Sequence, residues 1–117
     1  MRRPVELIVL KKMPGGGSDS TLKKEVLPLA NGLETISALR PVSWKWNDED
    51  NGERHYGFIA QEVEKILPDL VSDDTWRDGS TRKFLTVGDM MPYIVLALQE
   101  QQKQILKLKQ QLQEKSQ

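Results

Sequence analysis

The chain has 117 residues, seventeen of them basic and seventeen acidic, with no cysteine and one histidine. That length suits one small domain, and 38% apolar against 29% charged residues is too apolar for a disordered chain. Zero net charge argues against a general phosphate-backbone binder, while the missing thiols and single imidazole exclude disulfide scaffolds, thiolate zinc sites, cysteine nucleophiles and multi-histidine metal centres. The apolar run from Val5 to Leu10 is interrupted by Glu6 and falls far short of the ~20 residues a bilayer crossing needs. Residues 4–11 therefore read as a strand, not a membrane span or signal. A Met-Pro-Gly-Gly-Gly-Ser-Asp-Ser stretch over residues 13–20 reads as a flexible joint. Residues 21–29 read as a strand entering a turn at Pro28. Leu33, Ile36 and Leu39 recur at three-residue spacing and predict a short helix ending before Pro41.

Residues 42–46 are rich in strand formers, and 55–60 read as their return strand, with Asn51-Gly52 in the polar turn that closes the hairpin. Residues 61–67 turn helical, with Val63, Ile66 and Leu67 on one face, and Pro68 ends the helix. Leu70-Val71 reads as a short strand, 72–81 as a loop and 83–86 as a last strand. Phe58, Ile59, Val63, Ile66, Leu67 and Trp46 are the expected core, with Trp44 and Trp76 at edges or subunit contacts.

The C-terminal third lacks glycine after Gly88 and proline after Pro92. Met91, Leu98, Ile105 and Leu112 fall at heptad position a, and Ile94, Gln101, Leu108 and Lys115 at position d. Either Thr86 and Asp89 form a capping box, with Pro92 kinking the helix, or Asp89 caps the helix and Pro92 sits in its first turn. A polar helix with so narrow a stripe needs partner helices, because alone it has nothing to bury the stripe against. The alternative is a tail folded back onto its own domain. The fold class expected is α+β: a small mixed domain of short antiparallel strands and short helices, then a long coiled-coil helix.

Few side chains here can do chemistry. Ser18 needs a base to take its proton, and His55, a lysine or a carboxylate are the candidates. Lys23 stands five residues on, a spacing that has little meaning taken alone. His55 opens a strand and reads first as packing. Trp44, Trp46, Tyr56, Phe58 and Trp76, interleaved with Lys45, Arg54 and Arg77, would suit nucleic-acid stacking if the charge balance were basic. Asp48-Glu49-Asp50 lacks the further ligands of a calcium loop and reads as a solvated hairpin tip. No metal or cofactor is expected.

The stretch His55-Tyr56-Gly57-Phe58-Ile59-Ala60-Gln61-Glu62-Val63, continuing through Leu67-Pro68-Asp69-Leu70-Val71, resembles the signature of the peptidase S74 family. Members are the intramolecular chaperone domains at the C-termini of phage tailspikes and tail fibres. Ser18-Asp19-Ser20-Thr21-Leu22-Lys23 resembles the family's opening Ser-Asp-x-Arg-Leu-Lys motif, with Thr21 in place of arginine. Leu39-Arg40-Pro41-Val42-Ser43-Trp44-Lys45-Trp46 resembles its Pro-Val-aromatic-x-Trp strand. The segment from Met91-Pro92-Tyr93-Ile94 to Gln99-Glu100 resembles the start of its long helix. The likeness spans about residues 18–112.

The resemblance implies a homotrimer that guides a preceding fibrous passenger, a β-helix or β-stalk, into register and then cuts itself off. Ser18 matches the nucleophile and Lys23 the base, with the scissile bond at Gly17–Ser18. His55 and Asp19 are secondary candidates for the catalytic set. Met91, Ile94, Leu98, Gln101, Ile105, Leu108 and Leu112 would line the trimer seam. Residues 1–17 then read as the end of a passenger stalk or linker, 18–86 as the chaperone domain and 87–117 as the coiled-coil helix. The chain reads as a piece of a longer fibre protein, at work in the host cytoplasm during phage assembly and released from the mature fibre. No nucleic-acid or membrane partner is expected. A residue pair five apart meets on neither a helix nor a strand, so the pair is expected to form only in the assembled state. The alternative is a non-cleaving trimerisation or interaction module of the same fold.

Overall fold

A computed structural model describes residues 16–116, and the strand expected over residues 4–11 lies outside the described residues. Two antiparallel hairpins and short helices precede one long helix. The chain order is a single 3₁₀ turn at Ser20–Leu22, helix α1 (Gly32–Ser37), strands β1 (Val42–Trp44) and β2 (His55–Gly57), helix α2 (Ala60–Glu64), a 3₁₀ turn at Pro68–Leu70, strands β3 (Val71–Thr75) and β4 (Thr81–Leu85), a 3₁₀ turn at Val87–Met90 and helix α3 (Met91–Lys115). The α+β class is as the sequence indicates.

Strands β1 and β2 pair with Val42 opposite Gly57 and Trp44 opposite His55. The polar connection over 45–54 closes this hairpin as expected, although it is a long loop and not a two-residue turn. β3 and β4 pair from Val71 opposite Leu85 to Thr75 opposite Thr81. Here the sequence reading needs correction, because residues 72–75 are strand and not loop. Ser-Asp-Asp-Thr has weak strand propensity, and the pairing is imposed by the turn. Asp78 accepts hydrogen bonds from the backbone N–H and the hydroxyl of Ser80, Gly79 takes a φ of 85°, and Trp76 N–H donates to the Ser80 carbonyl at 2.8 Å. Asp78-Gly79 is the hairpin signal.

A second correction concerns residues 21–29. They form no strand: the Ser20–Leu22 turn gives way to irregular chain, with Leu22, Val26 and Leu27 all largely exposed. Pro68 likewise opens a 3₁₀ turn, its missing N–H costing nothing at that position. Neither expected cap of α3 forms. Thr86 and Asp89 make no side-chain cap bond, and Pro92 sits in the first turn of α3 without kinking it.

The core is Val63, Leu67, Leu70 and Met90, with Leu39, Phe58, Ile66, Val71, Leu85 and Tyr93 packed around it. Val63 and Leu67 were expected there. Ile59 was too, but it is exposed, standing just before α2 where the strand has already ended. Phe58, Ile66 and Trp46 are half-buried. Met90 is 1% exposed yet escapes a heptad reading, since it lies on the 3₁₀ turn ahead of the helix.

Helix α3 has two faces in its first ten residues. Tyr93 packs against the core, while Leu96 and Ala97 meet α1 at Gly32. A Cβ at position 32 would lie 2.7 Å from Leu96 Cβ and 2.8 Å from the Ala97 nitrogen, so only glycine allows this approach. Asn31, ahead of α1, is left-handed with a φ of 59° and makes no capping bond. Glu100 of α3 supplies the cap instead, its Oε1 accepting from the Gly32 N–H at 2.7 Å and the Leu33 N–H at 3.2 Å. The heptad residues Met91, Ile94, Leu98, Ile105, Leu108 and Leu112 occupy the other face and are exposed, as is Gln101.

Candidate functional site

Ser18 and Lys23 meet. Lys23 Nζ donates to Ser18 Oγ at 2.7 Å. The expectation that one chain's local structure cannot bring them together is therefore wrong. The reason is the 3₁₀ turn at residues 20–22, a geometry that neither helix nor strand arithmetic covers. Rising only ~2.0 Å per residue, such a turn folds the chain back far more tightly than a strand.

Asp19 builds the turn. Its Oδ1 accepts from the Thr21 N–H at 2.8 Å and from Thr21 Oγ1 at 2.7 Å. Leu22 N–H then reaches the Asp19 carbonyl at 3.1 Å, and Lys23 N–H reaches the Ser20 carbonyl at 3.3 Å. The Thr21 hydroxyl, followed by the Thr21 backbone N–H, holds the Asp19 carboxyl below its ordinary value of 3.8. Upstream, a Cβ on Gly17 would sit 3.3 Å from Leu22 Cδ1, so glycine also lets Leu22 lie against the residue before Ser18. All of residues 16–25 are exposed.

His55 stands apart from this turn. Its ring lies among the tryptophans, stacked with Trp44 at 6.0 Å and tilted against Trp46 at 5.5 Å, and it makes none of the turn's hydrogen bonds. Trp76 continues the cluster to Phe84, and the Arg77 guanidinium lies 4.6 Å from the Trp76 ring centroid. Trp44, Trp46, Trp76, Arg77 and Phe84, but not His55, line a groove of about 1090 Å³ between the two hairpins. Three of its cations are paired, Arg77 with Asp48 and Glu49, Arg40 with Glu62, and Lys83 with Glu64 and Asp73, while Arg82 donates to the Thr81 carbonyl. Among the described residues no cluster of histidine, aspartate and glutamate could hold a metal, and no helix is long and apolar enough to cross a membrane.

Two contributors escaped the sequence reading. Thr21 stood out only as a departure from arginine, although Asp-x-Thr is a pattern for a local side-chain turn. Glu100 carried no signal, because the amides it caps lie 67 and 68 residues away.

No curated protein matches the chain. The family model described as chaperone of endosialidase, Peptidase_S74, matches residues 18–72. The match begins on the serine that Lys23 contacts and runs through α1, the first hairpin and α2 into β3. Residues 18–72, then, are a chaperone of endosialidase domain of the peptidase S74 family.

Proposed function

We propose that the chain is a C-terminal intramolecular chaperone that trimerises through α3, guides a preceding β-helical or β-stalk passenger into register, and releases itself by cutting Gly17–Ser18. It acts in the host cytoplasm during phage assembly. The observation that carries this reading is the 2.7 Å contact of Lys23 Nζ with Ser18 Oγ, directly after the glycine joint and at the start of the matched segment.

The chemistry follows from those atoms. Lys23, as a neutral amine, takes the Ser18 hydroxyl proton while Oγ attacks the Gly17 carbonyl carbon. The Gly17–Ser18 C–N bond breaks, and its nitrogen takes up a proton to become the α-amine of Ser18. Water then hydrolyses the Gly17–Oγ ester, leaving a Gly17 carboxylate and a free Ser18 hydroxyl. A lysine in bulk water is an ammonium at neutral pH, and burial is what turns such a group into a base. Since Lys23 is exposed in the single chain, covering of the turn by assembly supplies the timing. The exposed seam residues Met91, Ile94, Leu98, Ile105, Leu108 and Leu112 are what supports association.

Intact mass of a passenger-linked chain tests the reaction. Loss of everything before Ser18 is expected, none with Ser18→Ala, and slowing by at least ~10²-fold with Lys23→Ala. Parental cleavage by Lys23→Ala overturns the serine–lysine mechanism. The exposure of the dyad favours one other reading, a non-cleaving trimerisation module of the same fold, for which the mass stays unchanged. Gating is tested by ending the chain after Gln102, which removes the distal seam but keeps the Glu100 cap on α1. A monomeric chain of that length cutting at full rate would show that assembly does not gate the reaction.

A further inference from the structure

We propose that Asp19 and Thr21 are positioning residues for the cleavage, acting together as the clasp that folds Lys23 onto Ser18. The proposal rests on the autoproteolytic reading above.

Each link is local. The Asp19 carboxylate gathers the N–H and the hydroxyl of Thr21, at 2.8 and 2.7 Å. These bonds set residues 20–22 into the 3₁₀ turn, and the turn brings Lys23 Nζ to Ser18 Oγ. Among the described residues the hydrogen bonds of residues 18–23 all run within that segment, so the clasp orders the dyad without help from the core. Asp19 bonds neither Ser18 Oγ nor Lys23 Nζ, so it acts through the turn and not on the reacting atoms. An aspartate is ionised at neutral pH, and the Thr21 bonds, which hold its carboxyl below its ordinary value, favour that acceptor form. Where the family motif carries arginine, this chain holds the Asp19 carboxylate with a threonine hydroxyl, so the clasp needs no cation.

The experiment measures the first-order rate of mass loss in the full passenger-linked chain across a pH series. Asp19→Ala removes the cap and is expected to slow cleavage about 2- to 30-fold. Asp19→Asn, which still accepts the same bonds, stays within about 2-fold of the parent. Thr21→Val slows it about 2- to 10-fold, and Thr21→Ser restores it. None of the variants shifts the pH profile, because none touches the proton-transfer pair. The proposal falls if Asp19→Asn is as slow as Asp19→Ala, which would mean that Asp19 acts through its charge, or if Thr21→Val cuts at the parental rate.

A second measurement separates failure of the clasp from failure of the cleavage reading. In the uncleaved Ser18→Ala chain, the Thr21 amide resonance should follow Asp19 titration with a midpoint below 3.8. Asp19→Ala should abolish that response and Asp19→Asn should hold the amide at its bound shift. A parent that never cuts but shows this titration overturns the protease and keeps the clasp; a Thr21 amide indifferent to Asp19 overturns the clasp whatever the cleavage rate.

Discussion

The two halves of α3 share one backbone geometry and differ in everything their side chains meet. In residues 91–100 one face is used: Tyr93 against the core, Leu96 and Ala97 against α1, and Glu100 as its cap. In residues 101–116 every side chain is exposed, including Ile105, Leu106, Leu108 and Leu112. Most helical stability in proteins comes from packing an apolar face. The first half finds that packing inside its own chain. The second carries an apolar stripe whose burial the single chain does not provide. Even the first half leaves Met91, Ile94 and Leu98 open on the side away from α1, so the open stripe runs the whole length of the helix.

Charges placed in that stripe are the sharpest way to break the contrast. Ile105→Asp with Leu108→Asp is expected to weaken self-association by more than ~10²-fold while the tryptophan emission of the domain stays unchanged. Sedimentation at a mass near that of a 13.4 kDa chain is the readout. An unchanged association constant would mean that the distal stripe is not an interface.

Next in size comes the packed region. Met90→Ala removes one of the most deeply buried side chains and should cost ~2–5 kcal/mol in denaturant unfolding. Phe58→Ala should cost less than the ~3–5 kcal/mol of a fully buried phenylalanine, because the ring is only half-buried. Gly32→Ala drives a Cβ into Leu96 and the Ala97 backbone, and overpacking of this kind costs ~1–3 kcal/mol. Loss of hydrogen-exchange protection in α1, with β3 and β4 unaffected, would place the damage at the α1–α3 contact.

Glu100→Ala should be milder, about 1 kcal/mol for a lost cap, read as faster exchange of the Gly32 and Leu33 amides. Glu100→Gln retains an acceptor and should recover much of the protection.

The smallest expected effect is the pH dependence. The Arg40 guanidinium holds the Glu62 carboxyl below its ordinary 4.5, and the Ser80 hydroxyl and N–H hold Asp78 below its ordinary 3.8. Groups depressed in the folded state bind protons more readily when unfolded. Their stabilisation is complete above those ordinary values and is lost as pH falls through the folded ones. Lys83 runs the other way. Glu64 and Asp73 raise it above 10.5, so its contribution is complete below that value and lost as pH rises through the folded one. The pairs are exposed, so a shallow decline of the melting temperature below pH 4.5, weaker in high salt, is the expected result.

Much of this was legible in the residues. Leu33 and Ile36 marked α1, which ends before Leu39; Val42 to Trp46 and His55 marked the first hairpin; Val63 marked α2, which stops at Glu64 and not at Leu67 as expected; and the long run without proline after Pro92 marked α3. Periodicity and β-propensity report on one chain segment at a time, and these elements are stabilised by what such patterns encode. The serine and the lysine were also legible, through the resemblance of residues 18–23 to a family motif.

What only the tertiary structure decided lies where two segments, or a turn and its partner, determine each other. Residues 72–75 became a strand because Asp78, Gly79 and Ser80 fold β4 back onto them, against the poor strand propensity of their aspartates. Met90 entered the core because a 3₁₀ turn points it there, while its neighbour Met91 faces out. Residues 21–29 lack their expected strand because none of the described strands pairs with them. Glu100 capped a helix 68 residues upstream because Gly32 lets α1 approach closely enough for its amides to reach. Sequence spacing fixes which side chains share a face, but a backbone amide without a local partner takes whatever acceptor the fold brings near, and only the packed chain specifies which one that is.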